Sequence, residues 1–219
     1  MAEGVFITLE GGEGTGKTTQ QSMLVRRVKG MGREVLATRE PGGTYLGRGL
    51  RRLLEEPGGE SPTALAELLM FMADRAQHVQ HTIGPALDQG RVVVCDRFID
   101  SSEVYQARVR GMDLAWVREL NRRVCGGLWP VLTVVLDLEP RLGLQRVMDR
   151  QQQLGLGLTW MEAEDLEFHR RVRQGFLDQA AAEPGRVKVV AAGGRPEEVA
   201  EAVWSLVEPL LKGSGGDAA

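Results

Sequence analysis

Gly11-Gly12-Glu13-Gly14-Thr15-Gly16-Lys17-Thr18 stands between a short apolar run, Val5–Glu10 (VFITLE), and a stretch over 17–31 whose apolar positions Met23, Leu24 and Val28 recur at helical spacing before Gly30 and Gly32. The octapeptide fits G-x-x-x-x-G-K-[ST]. A strand feeding glycines that open a helix is the context in which this spacing has physical meaning. The glycines let backbone N–H groups turn inward as an anion nest, and the helix N-terminus adds partial positive charge. In such a P-loop, Lys17 reaches the β- and γ-phosphates of a nucleoside triphosphate, and the Thr18 hydroxyl holds Mg²⁺. Gly11 to Thr18, with Thr19, are therefore the candidate ATP-binding residues.

Working outward, apolar strands recur at 34–38, at 91–96 (RVVVCD), at 131–137 (VLTVVLD) and at Val187–Ala191. Helical patterns lie between them at 47–54 and 63–81, and at 196–211, where Pro196 suits a first turn. Strands that are apolar throughout and alternate with helices predict an α/β fold: a parallel five-stranded sheet with helices on both faces, of the P-loop NTPase type. Ligands in such sheets sit at the carboxyl ends of the strands. Those ends carry Glu10-Gly11-Gly12, Arg39-Glu40, Asp96-Arg97 and Asp137. The expected organisation is one domain over 1–212, with a mobile lid at about 150–162 and a disordered tail over 213–219.

Composition narrows the class. A net charge of −3 gives no global field for nucleic acid. The chain carries 23 arginines against 4 lysines. Arginine suits phosphate recognition, but the larger share of this bias reads as genomic base composition. Cys95 and Cys125 lack metal-type spacing and read as buried thiols of a reducing compartment. The start has no basic segment before an apolar one, and no run is long enough to span a membrane. A cytoplasmic protein is expected, with no nucleic-acid or membrane partner. The Asn-Lys-x-Asp guanine reader is absent, because Asn121 is the only asparagine and Arg122 follows it.

Three stretches read as the acceptor side of a kinase. Thr38-Arg39-Glu40-Pro41-Gly42-Gly43-Thr44 puts an arginine at a strand end before a tight turn, although alone it reads equally as a surface turn. Glu67, Phe71 and Arg75 share one helix face, so an aromatic plane lies one turn from a guanidinium, able to stack a base and bond its edge. A core phenylalanine beside a surface arginine has the same pattern. The helix is apolar nearly all round over 64–73, which suits a second buried side against a subunit partner. In the third stretch, Asp96 ends a strand where a Walker-B-type acid orients Mg²⁺, and Arg97 beside it is placed to clamp a second phosphate; a structural ion pair is the plainer alternative.

GGEGTGKTT, TREPGGT, ELLMFMADRAQ and DRFIDSSEVYQ, in this order and spacing, resemble the bacterial thymidylate kinase (dTMP kinase) family over about residues 1–211. The resemblance implies phosphorylation of dTMP to dTDP by ATP in dTTP synthesis, by direct in-line transfer with Mg²⁺, in a homodimer. It implies that Phe71 stacks on thymine, Arg75 bonds its O4, and Arg97, with Arg39 nearby, binds the acceptor phosphate. By the same resemblance Ser102 and Gln106 approach the base, Tyr105 crowds the 2′ position, and Glu13 contacts the sugar or the phosphate network. The P-loop interior lacks the arginine some members carry there, so a lid arginine is expected. Arg146 and Arg150 match, with Arg150 the main catalytic candidate beside Lys17 and Arg97, and Arg108 or Arg110 in reserve. The later Asp-Arg-x-Glu element is replaced by Thr159-Trp160-Met161-Glu162, after a stretch over 151–158 that reads as a flexible loop; Trp160 is a candidate to cap adenine. The alternatives are a kinase for another nucleotide or a catalytically weak nucleotide-binding module.

Overall fold

The computed structural model describes residues 3–55 and 61–213. Five parallel strands, β1 (Val5–Glu10), β2 (Val35–Arg39), β3 (Val92–Asp96), β4 (Leu132–Asp137) and β5 (Val187–Ala191), line up in the order β2-β3-β1-β4-β5. The expected sheet and its five strands are therefore present, each within a residue of the apolar run that signalled it. Register places Leu9 opposite Asp96 and Asp96 opposite Arg39, so the carboxyl ends of the three strands finish level.

Alternation of side chains along the strands supplies two cores. Val5, Ile7, Leu9, Val92, Val94, Val134 and Leu136 face α1 (Lys17–Gly30) and α9 (Pro196–Gly213), where Leu24, Val28, Val203 and Val207 complete the layer. Phe6, Val93 and Cys95 face the other way, against Val79, Ile83 and Phe98. On that same side Val135 and Val187 meet Tyr105, Phe168, Val172 and Phe176. Burial on both faces explains why the central strands β1, β3 and β4 read as continuous apolar runs.

The remaining helices are α2 (Tyr45–Glu55), α3 (Ala64–His78), α4 (Gly84–Asp88), α5 (Ile99–Ser102), α6 (Leu114–Val124), α7 (Pro140–Leu154) and α8 (Leu166–Ala182). Thr63, Asp113 and Asp165 cap α3, α6 and α8 through their side-chain oxygens. The single helix expected over 63–81 instead widens into a π-helical segment, Val79–Ile83, before α4. A second π-helical segment, Glu103–Val109, continues α5. The stretch over 151–158, expected as a loop, is helical through Leu154. Glutamines sustain a helix well, and the stop comes only where Gly155 adopts a left-handed φ of 66°. Among the described residues no helix is long and apolar enough to cross a membrane. Of the tail expected over 213–219, Gly213 ends α9 and 214–219 lie outside the described residues, as does most of the turn after α2.

Candidate active site

The phosphate nest is built where β1 hands over to α1. Gly14 has φ 68° and lies against the backbone of Gly143 in α7, so closely that a Cβ on Gly14 would strike the Gly143 carbonyl, and one on Gly143 would strike the Glu13 carbonyl. Contact requires glycine at both positions, and at Gly14 the positive φ requires it as well. The α1 N-terminus has no side-chain cap and no acid in its first turn, which leaves its N–H groups and positive end for an anion. Lys17 Nζ donates to the carbonyls of Gly11 (3.1 Å) and Gly12 (2.7 Å). Burial, then the nearby Arg97 charge, pulls its ammonium down to about 8.

Beside the nest, Thr18 Oγ1 donates to Asp96 Oδ2 at 3.0 Å, joining the start of α1 to the end of β3. Arg97 follows in a left-handed conformation (φ 69°), the only non-glycine residue with positive φ among the described residues. That conformation costs an arginine about 1 kcal/mol or more, and the surroundings impose it. Its N–H donates to Leu9 O at 3.0 Å, and the buried Glu10 carboxylate accepts from Phe98 N (2.8 Å), Ser101 N (3.2 Å) and Ser101 Oγ (2.6 Å). Burial and the charge of Asp100 push Glu10 up to about 7. The turn thus aims the Arg97 guanidinium at Glu13 Oε1 (2.5 Å) and Tyr105 Oη (3.1 Å). Burial raises the Glu13 carboxyl, but Arg97 and Lys17 outweigh it and hold the group below its ordinary value.

The second wall comes from α3 and the π-helical segment after α5. Phe71 is half-buried on it, and Arg39 projects, exposed, from the end of β2. Arg75 is 1% exposed. Its Nε donates to Glu40 Oε2 (2.8 Å), its Nη1 to Asn121 Oδ1 (2.6 Å) and Ser102 Oγ (3.0 Å), and its Nη2 to Phe98 O (2.9 Å). This is no surface arginine beside a core phenylalanine. Gln106 is buried too, donating to Glu67 Oε1 at 2.6 Å. The wider π-helical turn brings Tyr105 and Gln106 onto the face already occupied by Ser101 and Ser102.

A third wall rises from α7 and the segment joining it to α8. Arg146 Nη1 lies 3.4 Å from the carbonyls of Gly14 and Ala192. Arg150 pairs with Glu162 at 2.9 Å, and Glu162 also accepts from Gln151 Nε2 (3.1 Å) and Thr159 N (2.9 Å). The Trp160 indole N–H donates to the Leu54 carbonyl at the end of α2, and the Arg110 guanidinium covers the ring. Trp160 therefore stands at the Leu54 end of α2 and lines the cleft. Arg110 is bound to Glu164 and Arg108 faces Asp178; neither lines the cleft, so neither stands in reserve for a lid arginine.

These walls enclose one cleft of about 610 Å³. Glu13 to Thr19, Arg39, Phe71, Arg75, Asp96, Arg97, Ser102, Tyr105, Gln106 and Arg150 all line it. Gly11 and Gly12 stand apart, behind the loop, against a small cavity shared with His169 and Arg173.

A family model described as thymidylate kinase matches residues 9–203. The chain belongs to the thymidylate kinase family. It is 55% identical over 207 residues to a thymidylate kinase of a Synechococcus strain, covering 94% of this chain and 96% of that protein. Against a thymidylate kinase of Deinococcus radiodurans it is 50% identical, covering 94% and 98%. The crystal structure of thymidylate kinase from Ehrlichia chaffeensis superposes with a TM-score of 0.76 at 33% identity, covering 94% of this chain and 99% of that one.

Several residues that organise this thymidylate kinase cleft had no role assigned to them by the sequence. The buried Glu40 and His78 form a chain with half-buried Thr38, with His78 Nδ1 3.0 Å from Glu40 Oε1 and its Nε2 2.6 Å from Thr38 Oγ1. Asn121 and Glu162 join sites from elements far apart in sequence. Asp100, fully buried, accepts from Thr133, Gln179 and Arg186 and anchors the helix that bears Ser101 and Ser102. An acid next to a double serine, and a lone asparagine in a helix, were the available hints.

Proposed function

We propose that the protein transfers the γ-phosphoryl group of ATP to dTMP, giving dTDP and ADP. Thymidylate kinases that share about half of its residues over nearly the whole chain carry the choice of reaction. The observation that carries the assignment of residues is the Arg97 guanidinium, which touches Glu13 of the phosphate loop and Tyr105 of the facing wall at once. Donor and acceptor phosphates brought to either side of it would lie end to end, the arrangement an in-line displacement needs.

The acceptor is a phosphate monoester, mostly dianionic at neutral pH, so no general base is needed. The barrier is repulsion between two polyanions, and positive charge around the transferring group lowers it. Lys17 and the α1 N-terminus hold the donor phosphates, with Arg97 on the acceptor phosphate and Arg39 at its rim. Arg146 and Arg150 approach from the third wall, which we assign as the lid, about 150–162, of a single domain spanning 1–212. Phe71 stacks on the base, with Arg75, Ser102 and Gln106 at its edge. Tyr105, pinned by Arg97, crowds the 2′ position and favours deoxyribose. Thr18 and Asp96 fit Mg²⁺: a hydroxyl and a carboxylate, both hard oxygens 3.0 Å apart, suit an ion that keeps waters and binds mainly through substrate phosphates. Held there by Thr18 and Asp96, a Mg²⁺ ion would supply positive charge to the donor phosphates.

The proposal includes a homodimer. On α3 the exposed Leu65 (49%), Leu69 (50%) and Ala73 recur every fourth residue and give an apolar stripe where a lone domain would be polar. Two free, buried cysteines suit the cytoplasm. The test is ADP release with ATP, Mg²⁺ and each nucleoside monophosphate in turn. Strong turnover with dTMP above all others is expected; no turnover with any acceptor, despite ATP binding, overturns the reading.

A further inference from the structure

The chain's one asparagine spends its side chain on a single task. Asn121, fully buried on α6, donates from Nδ2 to the Ile99 carbonyl at 3.4 Å and accepts at Oδ1 from Arg75 Nη1 at 2.6 Å. The Ile99 contact fixes which way the amide faces, so its oxygen is turned to the guanidinium. Glu40, Ser102 and the Phe98 carbonyl take three more of the five N–H groups of Arg75. Among the described residues the second N–H of Nη2 has no protein partner, and Arg75 lines the cleft. A guanidinium held at four points cannot turn, and what it offers a ligand is one fixed donor and no acceptor.

We infer that Asn121 is the positioning residue for base discrimination: by immobilising Arg75 it leaves one N–H directed at the base edge, which accepts a pyrimidine with a carbonyl oxygen at position 4 and rejects one with an amino group there. The inference rests on the proposed placement of Arg75 at the base. An amino group facing that N–H sets donor against donor and strands a buried polar group, the situation in which sites built on hydrogen bonds discriminate most strongly. Without the Asn121 oxygen, Nη1 loses its shortest bond, and the guanidinium gains freedom to tilt from the edge.

The test compares dTMP with 5-methyl-dCMP, which changes position 4 and keeps the methyl group. For each enzyme the ratio of kcat/KM values for the two acceptors is measured. Asn121→Leu, close in size, is expected to lower the ratio at least tenfold, mainly through a higher KM for dTMP, with KM for ATP within twofold. Asn121→Asp keeps an acceptor in place and is expected to hold the ratio within threefold. Asn121→Ser, too short to reach Nη1, is read like the leucine variant and covers the case in which leucine does not fold. Arg75→Lys is the control. A ratio unchanged in Asn121→Leu and Asn121→Ser but collapsed in Arg75→Lys overturns the inference alone. A ratio unchanged in Arg75→Lys overturns the placement of Arg75, and the inference with it.

Discussion

Arg97 Nη2 lies 2.5 Å from Glu13 Oε1, and that one contact ties the phosphate loop to the turn leaving β3. Both side chains are about one-fifth exposed, so the pair sits at the cleft surface where an incoming anion reaches it. In the proposed reaction the dTMP phosphate would compete with Glu13 for the guanidinium. Arg97→Ala is expected to lower kcat/KM for dTMP by about 10²–10³-fold, the usual loss for a donor aimed at developing charge. ATP affinity, measured by calorimetry, should change far less. Equal losses for both nucleotides would contradict the assignment of Arg97 to the acceptor side.

Arg150 is more than half exposed and pairs with Glu162 across the lid segment. Arg150→Ala should cut turnover by about two orders of magnitude while dTMP binding stays within about threefold, because a charge that acts on the transferring group contributes mainly in the transition state. Single-turnover kinetics with equilibrium binding separates the two quantities. Near-wild-type turnover would mean that another group, Arg146 first, carries the charge.

Folding of Glu10 is linked to pH. Its carboxyl moves from an ordinary 4.5 to about 7 in the folded protein, through burial and the charge of Asp100. Between those values the folded protein keeps a proton that the unfolded chain has released. This contribution to stability is complete below about pH 4.5 and disappears as pH rises through 7. Glu10→Gln removes the slope. Its unfolding free energy, relative to wild type, should improve between pH 5 and pH 8 by up to roughly 3 kcal/mol. Urea unfolding at four pH values in that range checks this; parallel profiles would show that Glu10 ionises normally.

An acidic residue at the centre of the α3 stripe should break the proposed dimer. Leu69→Glu places a charge where the proposed partner sits, and burying it unpaired is prohibitive. Light scattering should report one chain for the variant and two for wild type. A wild-type monomer would leave the stripe to some other contact.

How much of this was readable in the sequence depends on the distance over which each signal acts. The phosphate nest is local: eight consecutive residues and the elements flanking them define it. The three central strands, β1, β3 and β4, were readable because burial on both faces removes polar residues from them. α8 escaped notice although Phe168, Val172 and Phe176 recur every fourth residue, because His169, Gly175 and Gln179 are buried among them and blur the apolar pattern. α6 was missed because Val117 and Asn121 are its buried positions, only one of them apolar. The network around Arg75 had no local signal at all. Glu40, Ser102 and Asn121 lie 35, 27 and 46 residues from it, and only the crossing of chain segments brings them together. The stretch over 151–158 reads as a loop although it begins as helix, because glutamines are neutral in apolar pattern while favourable for helix.

Gly14 and Gly143 touch backbone to backbone. The contact locks the first turn of α7 onto the phosphate loop, so this helix is a fixed strut for the arginines it carries. Past Gly155 the chain runs from Leu156 to Asp165, the cap of α8, as a flap hung from that strut. Much of the departure from the family pattern falls on that flap and the last turn before it. Evolution can rewrite such an appendage, in length and in chemistry, without shifting the register of the phosphate site, whereas one methyl group added at either glycine would move both.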